Sequence, residues 1–108
     1  MKILVIEDEA RILSFLARGL EAEGYSVEGS TDGLDGLDRA VAGDWDLVLL
    51  DLLLPGLNGL ELLDALHRRR PELPVLILSA RADLQTKLQN LSGIGAGHAT
   101  VSVQTTLD

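Results

Sequence analysis

At 108 residues the chain is the size of a single domain, and 46% hydrophobic residues suffice for a core of its own. Its 17 acids against 9 bases leave a formal net charge of -8, which argues against nucleic acid or an anionic membrane surface as the direct partner and favours a divalent cation or a basic protein surface. Cysteine is absent, so a disulfide framework and a thiolate metal site are excluded, and the chain is compatible with a reducing cytosol.

The first apolar run, Ile3 to Ile6, is too short for a signal peptide and is closed by Glu7-Asp8-Glu9, and no stretch approaches a membrane span. Residues Lys2 to Ile6 read as a buried strand. Ile12, Leu13, Leu16 and Leu20 then recur at helical spacing, with acids at the helix start and Gly24 as its stop. Tyr25 to Glu28 alternates as an edge or half-buried strand would. Asp32 to Ala42 carries Leu34, Leu37 and Val41 on one helical face and is ended by Gly43.

The third unit, Trp45 to Leu63, organises the rest. Leu47 to Leu50 is a continuous apolar run, as expected of a strand buried on both faces, and Asp51 ends it. Pro55-Gly56 breaks the backbone before Leu60, Leu63 and Leu66 resume a helical period. That helix finishes in His67-Arg68-Arg69-Arg70, a basic run that complements the helix dipole and reads as a solvated end, with a docking patch as the alternative. Leu73 to Leu78 is a fourth strand leading to Ser79-Ala80, and Asp83 to Leu91 is a short helical pattern. Ala99 to Val103 is a candidate fifth strand.

Strands alternating with helices imply right-handed crossovers and an α/β, doubly wound parallel sheet in one domain. In such sheets ligands collect at the carboxyl ends of the strands, which makes Asp51 a candidate by position, although an Asp there also serves as a simple turn cap. If the first and third strands are neighbours, Glu7, Asp8 and Asp51 converge. Three acids together either raise a pKa or take a cation, and hard oxygen ligands suit Mg²⁺. Such a site neutralises an incoming phosphoryl group and leaves a carboxylate free as nucleophile. Ser79 would add a hydroxyl nearby, or act only as a cap.

The runs ILVIEDE at residues 3 to 9, LVLLDLLLPGLNGLELL at 47 to 63 and PVLILSA at 74 to 80, in this order and spacing, resemble the receiver domain of two-component response regulators. The likeness is greatest to those of the transcription-factor type with a winged-helix output domain, and it covers residues 1 to about 91. It implies a flavodoxin-like sheet of order 2-1-3-4-5 and a cytoplasmic protein. It also implies Asp51 as phosphoacceptor and a sensor histidine kinase as donor. Asp8, Asp51 and the Leu53 carbonyl are implied as Mg²⁺ ligands, Glu7 as the second acid of the pair, and Ser79 as the hydroxyl that bonds the phosphoryl group.

Residues 92 to 108 depart from that pattern. Gly95-Ala96 is present, but Ser102-Val103 stands about where the family has Lys-Pro, and Ala99 where an aromatic switch residue is usual. Lys2 and Lys87 match neither place. The final helix is expected to be missing or truncated, so that a bare sheet face or the fourth helical region promotes self-association. Besides a phosphoacceptor, the chain is compatible with a degenerate receiver that only binds proteins. A Mg²⁺-dependent phosphohydrolase of the haloacid-dehalogenase type fits less well, because its second acid would stand at Leu53.

Overall fold

The structure, a computed structural model, describes residues 1–51, 59–79 and 98–102. Their elements run β1 (Lys2–Ile6), α1 (Ala10–Ala22), β2 (Ser26–Ser30), α2 (Gly33–Ala42), β3 (Leu47–Asp51), α3 (Gly59–Arg69), β4 (Val75–Ser79) and β5 (His98–Ser102). The five strands form one sheet in the order β2-β1-β3-β4-β5, every pair parallel. The doubly wound reading is therefore met. The fourth helical pattern, 83 to 91, and residues 103 to 108, where a last helix was expected to be lacking, lie outside the described residues.

Continuous apolar strands alternate their side chains between two cores. Leu4, Ile6, Val48, Leu50, Val75 and Ile77 face α2 and α3, where Ala40, Leu62, Leu63 and Leu66 close the cluster together with Trp45 and Leu73. Ile3, Val5 and Leu49 face the other way, toward Leu13, Leu16 and Leu20 of α1, which are only half-buried. Among the described residues this second core is much the thinner, and Phe15 of α1 remains 74% exposed.

Several boundaries and faces differ from the sequence reading. No acid lies in the first turn of α1; Glu9 is its cap, with an extended backbone and no capping side-chain bond, so the acids precede the helix. The second strand runs to Ser30, because pairing with β1 continues to Ile6 opposite Ser30 and the Glu7 N–H donates to the Ser30 carbonyl at 3.0 Å. Leu73 is buried ahead of β4 in a turn, its N–H donating to the Arg70 carbonyl, and the fifth strand starts and ends one residue early, at His98 and Ser102.

Leu34 does not join the core face of α2. It is 61% exposed, and Gly33, Gly36 and Ala40 are the buried positions instead. The reason is close approach of helix to sheet: a Cβ on Gly36 would lie 2.8 Å from Ile6 Cγ1. Gly24, at φ 96°, ends α1 as expected, with its N–H donating to the Glu21 carbonyl and that of Tyr25 to the Leu20 carbonyl.

The basic run at the end of α3 is not uniformly solvated. Arg68 pairs with Asp64 one turn back, but Arg70 reaches across to the end of α2, where Nη1 donates to the carbonyls of Val41 at 3.2 Å and Gly43 at 2.9 Å while Nε pairs with Glu72. It thus satisfies helix-terminal carbonyls that have no intrahelical donor. The Arg39 carbonyl, one turn earlier, accepts from Trp45 Nε1 at 2.7 Å. Arg70→Ala is expected to destabilise the fold by about 2 kcal/mol, from lost charge-assisted hydrogen bonds and the dipole term, with Arg70→Lys recovering only part. Urea denaturation measures this directly; a change under about 0.5 kcal/mol would place Arg70 among ordinary surface residues.

Candidate functional site

Parallel register brings the acids together. Ile6 of β1 lies opposite Leu50 of β3, so the next residues, Glu7 and Asp51, leave the sheet level with one another, and Asp8 follows. One carboxylate oxygen from each of Glu7, Asp8 and Asp51 lies within 4.8 Å of the other two. The convergence expected from the sequence is therefore present in the fold.

The three are not equivalent. Glu7 is buried, at 3% exposure, whereas Asp8 and Asp51 are half-buried. Burial, reinforced by a hydrogen bond to Asp51 and by the charges of Asp51 and Asp8, pushes the Glu7 carboxyl up to about 8, against a weaker downward pull from the Glu9 N–H. That N–H donates to Glu7 Oε1 at 3.2 Å. Near neutrality Glu7 is thus mainly protonated and hydrogen-bonded to Asp51, which stands half-buried at the strand end.

A small divalent cation fits this arrangement. The donor set is three hard carboxylate oxygens within 4.8 Å of one another, of which such an ion would need only one or two beside water. Binding would favour the ionised carboxylates over their mutual repulsion.

The remaining sequence candidates divide. Ser79 closes β4, one residue beyond Leu78, which is opposite Asp51, so its backbone stands at the same sheet end. Leu53 and Lys87 lie outside the described residues. Lys2 starts β1 at the far end, its ammonium 4.9 Å from the centre of the Trp45 ring. Two features were not read from the sequence. One is the Glu9 N–H at Glu7, which needs loop geometry. The other is the register by which Ser102, already singled out in the sequence, pairs with Ser79 at the carboxyl end of β5.

The response regulator receiver domain family matches residues 3–99. The transcriptional regulatory protein YkoG of Bacillus subtilis is 47% identical over 94 residues, which cover 87% of this chain and 41% of that protein. TcrA of Mycobacterium tuberculosis is 40% identical, with 86% of this chain and 37% of that protein covered. The chain thus spans about two fifths of the length of these curated relatives. The response regulator TrrA of Thermotoga maritima, solved in complex with Mg(2+)-BeF, superposes with a TM-score of 0.83 at 29% identity, over 99% of this chain and 90% of that one. Sheet order, acid placement and the extent of the match lead to one conclusion: the chain belongs to the response regulator receiver domain family of two-component signalling.

Proposed function

We propose that this chain accepts a phosphoryl group on Asp51, with Mg²⁺ held by Asp8, Asp51 and the Leu53 carbonyl, from a phosphohistidine on a sensor histidine kinase. The observation that carries the reading is the meeting of Glu7, Asp8 and Asp51 at the ends of two neighbouring strands in a chain of this family. A crystal structure of TrrA in complex with the histidine kinase ThkA, 27% identical to this chain with a TM-score of 0.78, supports a kinase as partner.

When bound, the cation screens the carboxylates and the entering phosphoryl oxygens from one another. Asp51 supplies the attacking oxygen. Asp8, half-buried beside it, anchors the ion, and Glu7 holds its proton toward Asp51 and so keeps that side chain oriented. Ser79, whose backbone ends β4 at the same end of the sheet, would donate its hydroxyl to the phosphoryl group. The role is that of an acceptor rather than an enzyme acting on free substrates, in the cytoplasmic setting that the family resemblance implies. Among the described residues no helix is long and apolar enough to cross a membrane.

Intact mass after incubation with phosphoramidate or acetyl phosphate tests the reading. A gain of one phosphoryl group that needs Mg²⁺ and disappears with EDTA is the expected result. No gain from either donor, with native circular dichroism, would remove the acceptor role and leave a protein-binding module.

A further inference from the structure

Among the described residues the exposed large apolar side chains are Met1, Phe15, Tyr25 and Leu34. Met1 and Tyr25 lie together at the start of β2, where the Ser26 N–H donates to the Met1 carbonyl. Phe15 and Leu34 differ from them in sitting on the outer faces of helices, 74% and 61% exposed, and each is bordered by charges of one sign. Arg11 and Arg18 share the exposed stripe of α1 with Phe15, and a Cβ built on the neighbouring Gly19 would meet nothing within 4 Å. On α2, Asp32 caps the helix just before Leu34, and Asp35 and Asp38 follow, all of them exposed.

A single exposed apolar residue needs no explanation. The sorting of charge does. In a chain with 17 acids and 9 bases, Phe15 is flanked by arginines and Leu34 by aspartates. Among the described residues Asp35 is paired with Arg39, whereas Arg11, Arg18 and Asp38 enter no ion pair.

The two stripes also match in spacing when run antiparallel. Arg11 stands four residues from Phe15, as Asp38 does from Leu34; Arg18 stands three from Phe15, and Asp32 two from Leu34. At about 1.5 Å of rise per residue the mismatch is about 1.5 Å, which side chains absorb.

We propose that this chain associates with itself head to tail, the stripe of Arg11, Phe15 and Arg18 on α1 of one copy docking antiparallel on the stripe of Asp32, Leu34 and Asp38 on α2 of the next. Phe15 against Leu34 is the apolar centre, and Arg11 with Asp38 and Arg18 with Asp32 form the charged rim. α1 packs on one face of the sheet and α2 on the other, so the two stripes of one copy look in opposite directions. One α1 and one α2 join each pair of molecules, and an unused stripe at either end takes a further copy. Two helices bury less than a standard interface, and a net charge of -8 on every copy opposes contact, so the association is weak. It does not depend on phosphoryl chemistry at Asp51.

Sedimentation equilibrium of the whole chain at about 0.15 M salt tests this. The weight-average mass is expected to be monomeric at about 10 µM and to rise toward about 500 µM without levelling at a dimer. Phe15→Glu and Leu34→Glu, both at exposed positions, should each stay monomeric alone. Mixed in equal amounts they should form a complex that stops at two chains, because Leu34→Glu keeps its α1 stripe and Phe15→Glu keeps its α2 stripe. Arg11→Glu should weaken association about tenfold, and adding Asp38→Arg to the same chain should bring it back to within about threefold of the parent.

A parent that is monomeric throughout or stops at a closed dimer, either glutamate variant associating alone, or a mixture that stays monomeric would overturn the proposal. Should a glutamate variant lose native circular dichroism, the charge exchange decides: recovery in the Arg11→Glu, Asp38→Arg chain supports the docking, and a loss that the second substitution leaves unrepaired refutes it.

Discussion

Asp51→Asn is expected to abolish phosphoryl gain and, at pH 9 without metal, to make the protein more stable. The chemical half follows from the nucleophile: an amide oxygen does not form a stable phosphoryl adduct, so the loss is complete within the sensitivity of intact mass. The stability half follows from charge. At pH 9 Glu7, pushed up to about 8, has lost its proton, and its charge then stands among the acids Asp8 and Asp51, with oxygens within 4.8 Å of one another. Removing one charge should recover on the order of 1–2 kcal/mol, seen as a melting point several degrees higher. Adding Mg²⁺ should then stabilise the parent more than the variant. An adduct in Asp51→Asn would move the acceptor to another residue, and an unchanged melting point at pH 9 would mean that the three carboxylates do not share one field.

The second large effect is the pH dependence of metal-free stability. Glu7 in the folded chain titrates near 8 against an ordinary value of 4.5. Between those two pH values the native state holds a proton that the unfolded state has lost. Stability from this group is therefore fully present below about 4.5 and is lost as pH rises through about 8. The slope approaches about 1.4 kcal/mol per pH unit inside the window, so the whole change is of order a few kcal/mol. Glu7→Gln, which keeps the donor and removes the titration, should flatten the curve. Mg²⁺ should act oppositely: its binding releases the Glu7 proton below pH 8, and its affinity rises with pH over the same window. Urea denaturation of both proteins at pH 5, 6.5 and 8, in EDTA and in Mg²⁺, measures each arm. Parallel pH curves for parent and Glu7→Gln would show that Glu7 does not carry the proton.

What could be read without a fold was local and periodic. The first strand was legible from Lys2 to Ile6 and the third from Leu47 to Asp51, because a strand buried on both faces needs an unbroken apolar run and an acid cannot continue it into a core. Gly24 marked a helix end because the left-handed backbone it adopts, at φ 96°, favours glycine itself, whereas Gly43 ends α2 in an extended conformation. The family resemblance was legible for the same reason: ILVIEDE and LVLLDLLLPG are local words in a definite order.

Where the reading went astray, a distant partner decided the outcome. Leu34 has the helical spacing of a core residue, yet Gly36 lets α2 settle on Ile6 and turns a different face inward. Arg70 looks like any basic helix end, yet α2 presents its terminal carbonyls within reach. Glu7, Asp8 and Asp51 were legible as a cluster, but not that Glu7 alone is buried and keeps its proton, because desolvation depends on what packs above the strand end. The pairing of Ser102 with Ser79 likewise exists only in the register of β4 and β5. By itself the sequence determined the strands, the helix stops and the acids that end the strands, since these follow from each residue's own burial preference and backbone freedom. The tertiary structure alone decided which acid is protonated and which cation caps a helix, since desolvation, Coulomb interaction and hydrogen bonding act through distances that only the folded chain sets.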